Sequence, residues 1–418
     1  MAEETTYVAK FVSQKISKIR WQPTPKHVIL PSNIFATGSW DNDKNHVSVW
    51  QLERSTMPDG SAIGDRDFGF IPDWEPALLT ELEHVGDVTD LVFLTAELLL
   101  VASSTGTVQV CRYQSNTQRL ITSYSWQGLH HNMHSACACT GLATKIDDTF
   151  ATVGEDGRLN VMCVEHREPV REINNADSCT LNSACFLKQS EVATVNSTGQ
   201  LKVWDLREQG EEPAKVFQPT GEHVSLHCVD KHPTQQHIVA TGGQDGALCI
   251  WDMRQDRFPV SLLSAHAADM WEVKFHPSHP NSLFTCSEDG SVWHWDSSSI
   301  NTTPMTTLSA GNKGKSLAPA STPPLYTSTR FGDTTRHGDT TRIGDTTRLG
   351  DVSRRPTATL TEDTNVWLAS EAMKHRVETT DLLAGNMMPV NSIDIVNNTL
   401  LCGTDSEQIY TLRNLVIQ

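Results

Sequence analysis

Residues 240–252 read Ala-Thr-Gly-Gly-Gln-Asp-Gly-Ala-Leu-Cys-Ile-Trp-Asp. The Gly-Gln-Asp-Gly centre is typical of a tight turn, because glycine and aspartate tolerate the backbone angles that turns require. An apolar run follows this turn and ends at Trp251. The stretch therefore predicts two short antiparallel strands that are joined by a turn and end in Trp251-Asp252.

The Trp-Asp ending recurs at a nearly constant distance along the chain. Trp204-Asp205, Trp251-Asp252 and Trp295-Asp296 lie 47 and then 44 residues apart. A repeat of about 40–45 residues that ends in Trp-Asp is typical of a WD40 β-propeller blade. One blade cannot bury both faces of its small sheet, so blades must stack around an axis. The repeat therefore predicts an all-β ring, an architecture that favours binding over catalysis.

The turn glycines indicate the number of blades. They recur with a similar period at Gly106, Gly157, Gly199, Gly246 and Gly290. Two further units flank them, at residues 35–50 and 400–412. The last unit has residues for three strands but few for a fourth. Residues 7–12 have the alternating pattern of a strand and belong to no other unit. We therefore predict a seven-bladed propeller in which this N-terminal strand closes the last blade and removes an exposed sheet edge.

The best-formed units predict how a blade is held together. In WD40 propellers, a His, a Ser or Thr, an Asp and a Trp form a buried hydrogen-bonded set that combines imidazole, hydroxyl, carboxylate and indole groups. The matching residues are His266, Thr285, Asp289 and Trp295 in one unit, and Thr241, Asp245 and Trp251 in the unit before it. We expect these side chains to be structural. The set decays elsewhere, since Met162 replaces the Trp expected after Asp156.

A long insertion interrupts the sixth blade. The outer strand should begin soon after Asp296, but the next suitable segment is Arg376–Leu383. The stretch between them is rich in Ser, Thr, Pro and Gly, and residues 329–352 contain four hexads that begin Thr-Arg-x-Gly-Asp. Its few apolar residues cannot offset the entropy of ordering the backbone, so we predict a disordered insertion at residues 300–364.

The insertion divides one propeller domain into two blocks of sequence. Residues 7–299 are expected to hold the closing strand and blades 1–6, and residues 365–418 the outer strand of blade 6 and blade 7. The more apolar segment Asn365–Ser370 is expected to pack back on the ring. The regular Arg and Thr residues of the hexads also leave open a docking segment that phosphorylation tunes.

Composition disfavours several classes of function. The net charge of −17 argues against direct binding to nucleic acid or to an anionic membrane surface. No run approaches the ~18 apolar residues of a membrane helix, and the acidic start lacks the apolar region of a secretory signal. The ten cysteines include no Cys-x-x-Cys pair, which indicates buried thiols in a reducing compartment. We therefore expect a soluble intracellular protein without membrane insertion.

The densest group of potential metal ligands lies between the second and third blades. It comprises His130, His131, His134, Cys137 and Cys139. Zinc sites use His and Cys, but this spacing matches no standard zinc finger. The chain also lacks a Gly-x-Ser-x-Gly elbow, a Walker loop and a His-Glu-x-x-His motif. We therefore expect no metal, no cofactor, no catalytic residue and no small-molecule substrate.

Two Trp-Asp-x-Arg boxes leave a second function open. They end in Arg207 and Arg254, which makes these arginines candidate partner contacts. The pattern resembles the box by which WD40 substrate receptors dock on the large propeller adaptor of cullin-four ubiquitin ligases. Charged residues also follow strand ends in propellers with other roles. A ubiquitin-ligase substrate receptor is therefore the alternative function.

Several stretches that the WD40 repeat does not require point to one family. They run from the first blade to the last, at residues 9–21, 35–42, 152–158, 226–230, 270–273, 284–290, 293–296 and 402–405. In these stretches the chain resembles the forty-three-kilodalton WD-repeat nucleoporin of the Y-shaped nuclear pore scaffold. The hexad repeats depart from that family, which has a non-repetitive loop at this place.

The resemblance implies a structural subunit of the nuclear pore coat that has no catalytic activity. Its implied partners are other nucleoporins of the Y-shaped complex, at the nuclear envelope and, in mitosis, at the kinetochore. Its implied roles are transport of mRNA and protein between nucleus and cytoplasm, and chromosome segregation. Trp271 is a candidate partner contact, because tryptophan is frequent at interface hot spots. A role for Trp271 in the core is an equally good interpretation.

Overall fold

The propeller is seen in a computed structural model that describes residues 6–24, 31–54, 74–145, 148–218, 223–255, 258–298, 365–368 and 377–417. These residues form seven antiparallel sheets of four strands each. The innermost strands of neighbouring sheets contact one another in a closed circuit. The predicted fold class, an all-β seven-bladed WD40 propeller, is therefore confirmed.

The first four blades follow one another along the chain, and each runs from an innermost to an outermost strand. A separate strand, β1 (Thr6–Phe11), precedes them. The strands of blades 1–4 are β2 (Ile16–Trp21), β3 (Ile34–Ser39), β4 (Asn45–Arg54) and β5 (Trp74–His84); β6 (Val88–Phe93), β7 (Leu98–Ser103), β8 (Val108–Gln114) and β9 (Arg119–Trp126); β10 (Cys139–Thr144), β11 (Thr149–Gly154), β12 (Leu159–Cys163) and β13 (Arg171–Ile173); and β14 (Leu181–Lys188), β15 (Glu191–Asn196), β16 (Leu201–Asp205) and β17 (Lys215–Phe217).

The last blade borrows its outermost strand from the start of the chain. The strands of blades 5–7 are β18 (Leu226–Lys231), β19 (Ile238–Gly243), β20 (Ala247–Asp252) and β21 (Ser261–Ser264); β22 (Met270–Phe275), β23 (Ser282–Ser287), β24 (Val292–Asp296) and β25 (Glu378–Asp381); and β26 (Val390–Val396), β27 (Thr399–Thr404) and β28 (Gln408–Arg413). Strand β1 pairs antiparallel with β28, with Val8 opposite Thr411. The closing strand that the sequence predicted at residues 7–12 is therefore observed at Thr6–Phe11.

Turn chemistry and close packing explain why these strands form blades. The five predicted turn glycines lie between the second and third strands of blades 2–6 and all have positive φ angles, from 67° to 85°. A side chain at such angles would be strained. Between blades, Gly242 of β19 leaves no room for a Cβ, because the side chain of Met270 in the next blade occupies that space. The core is therefore a series of apolar layers between neighbouring sheets.

The chain after the insertion returns to the sixth blade. Strand β25 lies within the predicted segment Arg376–Leu383 and pairs with β24. Before it, Val366–Leu368 form a short 3-10 helix, and the Nε1–H of Trp367 donates to the carbonyl oxygen of Pro280 at 2.9 Å. Trp367 is 3% exposed, so residues 365–368 pack on the ring as expected. The predicted disorder and the hexads at 300–364 lie outside the described residues, and the domain boundaries stay a prediction.

Candidate protein interaction site

The sixth blade contains a continuous chain of hydrogen-bonded side chains. The Oγ1 of Thr285 accepts the Nε1–H of Trp295 at 3.0 Å and lies 2.7 Å from Nε2 of His266. The other ring nitrogen, Nδ1, lies 2.8 Å from Oγ of Ser291, which donates to Asp289 at 2.6 Å. A neutral imidazole protonated at Nδ1 satisfies both contacts, and burial lowers the pKa of His266, which favours that form. The structure thus brings together the four predicted residues and adds Ser291.

Blade 5 contains a shorter version of this chain. The Oγ1 of Thr241 accepts the Nε1–H of Trp251 at 2.9 Å. The carboxylate of Asp245 accepts the backbone N–H of Ala247 at 3.0 Å, so it stabilises the turn and does not join the pair. The same hydrogen bond joins Trp50 to Thr37 at 2.8 Å and Trp204 to Thr194 at 3.0 Å. These two threonines were missed, although Thr194 precedes its Trp by the same ten residues as in blades 5 and 6.

The group of potential metal ligands has a different arrangement from a metal site. Buried His130 completes a hydrogen-bonded set in blade 3, where its Nδ1 lies 2.8 Å from Oδ1 of Asp156 and its Nε2 lies 2.9 Å from Oγ1 of Thr152. His131 and His134 are exposed. Among the described residues, no group of three or more His, Cys, Asp or Glu side chains could hold a metal ion. The four-residue spacing of Thr152 and Asp156, as in blades 5 and 6, was the signal for this set.

A ring of seven side chains surrounds the axis at one face of the propeller. In every blade the strand register shifts across the second residue of the innermost strand, which forms a β-bulge. These seven residues, here called the mouth ring, are Ser17, Thr89, Thr140, Asn182, His227, Trp271 and Asn391. All of them line one cavity of about 360 Å³. Because a bulge redirects a side chain, the fold aims one side chain from each blade at this opening.

Most members of the mouth ring join neighbouring blades. Four of them donate a side-chain hydrogen bond to the first carbonyl of the next innermost strand: Thr89, Thr140, Asn182 and Asn391. The bond from Asn391 to Ile16 spans 2.9 Å and links the last blade to the first. His227 contacts the carboxylate of Asp269 in the following blade at 3.0 Å. Small polar residues at these positions thus have a structural role.

Next to the mouth ring, a buried ion pair connects blade 1 with blade 6. The guanidinium of Arg20 in β2 donates to both oxygens of Glu272 in β22, at 2.7 and 3.1 Å. Lys18 donates to the same carboxylate at 2.7 Å, and the backbone N–H of Ile393 in blade 7 does so at 2.9 Å. Burial opposes ionisation of Glu272, but Arg20 and Lys18 hold its pKa well below the usual range. The cluster therefore links blades 1, 6 and 7.

The two Trp-Asp-x-Arg boxes have the same local geometry. Arg207 donates to both oxygens of Asp205, at 2.9 and 2.6 Å, and Arg254 pairs with Asp252 in the same way at 3.0 and 2.9 Å. In each case the guanidinium binds the Asp two residues earlier in its own blade. The side chains of the arginines remain 73% and 56% exposed. Both arginines therefore lie at the surface with their charge already partnered.

Trp271 is the exception within the mouth ring. It is half-buried, and its ring lies 5.2 Å from the ring of His227, between centroids. One side of the indole packs against the apolar layer between blades 6 and 7. Its Nε1–H forms no hydrogen bond within the part of the chain that the structure describes. The indole therefore combines a core contact with an open face at the cavity.

The comparisons with known proteins agree with this architecture. The family model for the WD domain, G-beta repeat, matches residues 213–252 and 257–296. These segments fall in blades 4–6, where the Trp-Asp pairs are clearest. No helix among the described residues is long and apolar enough to cross a membrane.

Two relatives of similar length match nearly the whole chain. The chain is 44% identical to mouse "Nucleoporin Nup43" over 97% of its length and 98% of that protein. It is 43% identical to human "Nucleoporin Nup43" over the same shares of both chains. A plant protein from Arabidopsis thaliana, "Nuclear pore complex protein NUP43", is 24% identical over 66% of this chain and 82% of its own length.

Proposed function

The chain belongs to the Nup43 family of nucleoporins, and from this premise we propose that it is a structural scaffold subunit of the nuclear pore complex. The observation that carries the proposal is an alignment that spans 97% of this chain and 98% of the mouse relative. Since the alignment covers nearly all of both chains, it extends well beyond the two matched WD repeats. Its role is to bind other nuclear pore proteins at the nuclear envelope, without catalysis.

The finer proposal assigns the protein to the Y-shaped coat complex. There it supports transport of mRNA and protein and, with the same complex in mitosis, kinetochore function and chromosome segregation. Its support is the set of off-repeat stretches that resemble the family from the first blade to the last. The fold is compatible with such a role, because a closed ring stabilised by seven interlocked blades is a rigid platform for partners.

Partner identification tests the proposal directly. The tagged full-length chain is purified from cells, and the associated proteins are identified by mass spectrometry. We expect other nucleoporins of the Y-shaped complex in stoichiometric amounts. Recovery of the chain without any nucleoporin would refute the proposal. Imaging of the tagged chain tests the mitotic part, which fails if no signal reaches kinetochores while the nuclear envelope is labelled.

The same purification distinguishes the ubiquitin-ligase alternative. An Arg207→Ala/Arg254→Ala variant removes both guanidinium groups from the Trp-Asp-x-Arg boxes. The scaffold proposal predicts that nucleoporin recovery is unchanged in this variant, because both side chains pair within their own blades. Recovery of a cullin-four adaptor by the natural chain alone, with no nucleoporins in either sample, would favour the ligase receptor instead.

A further inference from the structure

We propose that the mouth of the propeller binds an extended segment of a partner protein through a lysine or arginine side chain. The cation lies against Trp271 and is neutralised by Asp87 and Glu155. The proposal concerns one face of this chain and holds whether the partner is a nucleoporin or another protein.

Trp271 interrupts the hydrogen-bonding pattern of the mouth ring. Four equivalent positions carry Thr or Asn, which donate to the next blade. Trp271 makes no such bond, although blade 7 presents an equivalent first carbonyl at Val390. A position that serves ring closure elsewhere is thus occupied by a large indole with an open face. Trp271 forms no hydrogen bond that connects blades 6 and 7. Its exposed face is therefore free to bind a ligand.

The cavity at the mouth is small and partly aromatic. It has a volume of about 360 Å³ and is lined by a second tryptophan, Trp40, as well as by Trp271 and His227. This volume is at the small end of the range for ligand sites, roughly 300–1,000 Å³. It accommodates one or two side chains of an extended segment rather than a folded domain. Tryptophan is the aromatic side chain that attracts cations most strongly over its ring face.

The mouth carries two carboxylates that have no cationic partner among the described residues. Asp87 and Glu155 line the same cavity, and neither carboxylate has a Lys or Arg partner within the described residues. Asp87 accepts the backbone N–H of Asp41 and the side-chain amide of Asn45, both at 2.9 Å, so its position is held by neutral donors. These donors leave the negative charge uncompensated.

Two lysines lie near the cavity, and each already pairs with a carboxylate. The ammonium group of Lys15 lies 5.8 Å from the ring centroid of Trp40 and pairs with Asp41. The ammonium group of Lys18, which also lines the cavity, already pairs with the buried Glu272 at 2.7 Å. The opening therefore presents an acidic surface, which repels nucleic acid and anionic membranes and attracts a basic protein segment. Charge and aromatic surface together specify a lysine or arginine side chain.

Selection from a random peptide library displayed on phage tests the proposal with the purified full-length chain. We expect the selected peptides to be enriched in lysine and arginine. A synthetic copy of a selected peptide should bind with an affinity that falls as salt is raised, because exposed charges are screened. Failure to select any peptide, or selection of peptides without basic residues, would overturn the proposal.

Variants then locate the binding surface. We expect Trp271→Ala to weaken binding of the synthetic peptide by about tenfold or more, the range of an interface hot spot. Asp87→Asn/Glu155→Gln should weaken it by a similar factor. The matched control is Glu168→Gln/Glu172→Gln, which changes the net charge equally at exposed positions near β13.

The charge variants and Trp271→Ala each have an outcome that contradicts binding at the mouth. Equal losses in the two charge variants would indicate general attraction to an acidic protein and would overturn the proposal, as would full binding by Trp271→Ala. Because Trp271 also contacts the core, its variant is compared with the natural chain by thermal unfolding. The Asp87→Asn/Glu155→Gln result decides the matter if Trp271→Ala unfolds. Nucleoporin recovery is measured separately, so either proposal can fail alone.

Discussion

Single hydroxyl groups at the centre of blades 1, 4, 5 and 6 hold the Trp side chains in place. The threonine Oγ1 accepts an indole N–H in all four blades, at 2.8 to 3.0 Å. In blade 6, Thr285 also contacts His266. A buried polar group that loses its partner costs about 1–3 kcal/mol. The number of buried groups that hydrogen-bond to each threonine hydroxyl therefore predicts how much stability is lost when that hydroxyl is removed.

Replacing two of these threonines tests this count. Thr285→Val leaves Nε2 of His266 and Nε1 of Trp295 without a hydrogen-bond partner, and we expect it to lower the free energy of unfolding by about 2–4 kcal/mol. Thr241→Val is the matched control, since Trp251 loses its partner and the only other loss is the weak hydrogen bond of the Cys249 thiol. We expect this variant to cost about 1–2 kcal/mol. Urea unfolding followed by tryptophan fluorescence measures both values. Equal losses in the two variants would contradict the role of His266.

Buried histidines make stability depend on pH. His232 is 1% exposed, and its Nδ1 accepts the backbone N–H of Gln235 at 3.0 Å. Burial lowers the pKa of His232 to about 4, whereas an unfolded histidine has a pKa of about 6.5. The unfolded chain therefore takes up the proton first. The contribution of neutral His232 to the free energy of unfolding is therefore fully present above pH ~6.5, and it is lost as the pH falls toward ~4.

The His232→Asn variant measures this contribution. Asn keeps a side-chain oxygen for the turn but does not titrate. We expect the natural chain to lose about 1–3 kcal/mol more than the variant between pH 7 and about 4.5. Free energies of unfolding at the two pH values supply the comparison. A parallel decrease in the natural chain and in His232→Asn would exclude the mechanism.

At the scale of elements, the closing strand β1 completes the ring. It lies at the start of the chain and pairs with β28, near the end. The backbone N–H of Val12 donates to the carbonyl of Glu407 directly opposite, at 2.8 Å. In antiparallel sheets, hydrogen-bonded and non-hydrogen-bonded residue pairs alternate along the strands. The backbone N–H of Lys10 therefore also points toward its partner Ile409 in β28, whereas the N–H of Ala9 points away from β28. Without β1, the edge of β28 would be exposed.

Proline substitutions in β1 separate these two kinds of position. Lys10→Pro removes a ladder hydrogen bond, and we expect it to lower the free energy of unfolding by about 1–3 kcal/mol and to promote self-association. Ala9→Pro is the matched control, because proline is tolerated where the N–H of an edge strand faces outward. Chemical unfolding and light scattering measure both effects. If Ala9→Pro is as damaging as Lys10→Pro, the assigned register of β1 is wrong.

The strand pattern was largely predictable at this scale. Gly106, Gly157, Gly199, Gly246 and Gly290 mark turns with positive φ, which few other residues adopt. Alternation in Tyr7–Val12 was enough to identify the closing strand. The mouth ring was not predictable, because a β-bulge depends on pairing with a neighbouring strand rather than on the local sequence. Of its seven members, the sequence identified only Trp271 as a candidate contact, from its residue type.

At the scale of the whole molecule, the buried cluster around Glu272 links the first blade to the last two. Arg20 and Glu272 are 252 residues apart in sequence, yet their side chains form two hydrogen bonds near the axis. The carboxylate also accepts the backbone N–H of Ile393 in blade 7. One side chain thus contacts three blades. Removing one partner from a buried ion pair leaves an uncompensated charge, which costs about 3–5 kcal/mol.

Neutralising Glu272 tests the contribution of this cluster. We expect Glu272→Gln to lower the free energy of unfolding by about 3–5 kcal/mol. Glu191→Gln is the control, because Glu191 pairs with a half-exposed Lys188, and such surface pairs contribute less than about 1 kcal/mol. Urea unfolding measures both free energies. Equal small losses in the two glutamine variants would show that the cluster does not stabilise the ring.

The sequence by itself determined the blade repeat, the number of blades and the strand that closes them. These features follow from turn residues and strand alternation, which act over a few neighbouring residues. It also pointed to the family, because off-repeat stretches from the first blade to the last resemble that family. Only the tertiary structure decided which side chains meet near the axis: the ion pair of Arg20 and Glu272, and the mouth that Trp271 shares with Asp87 and Glu155. Those contacts join distant blades, so they exist only once the ring has closed.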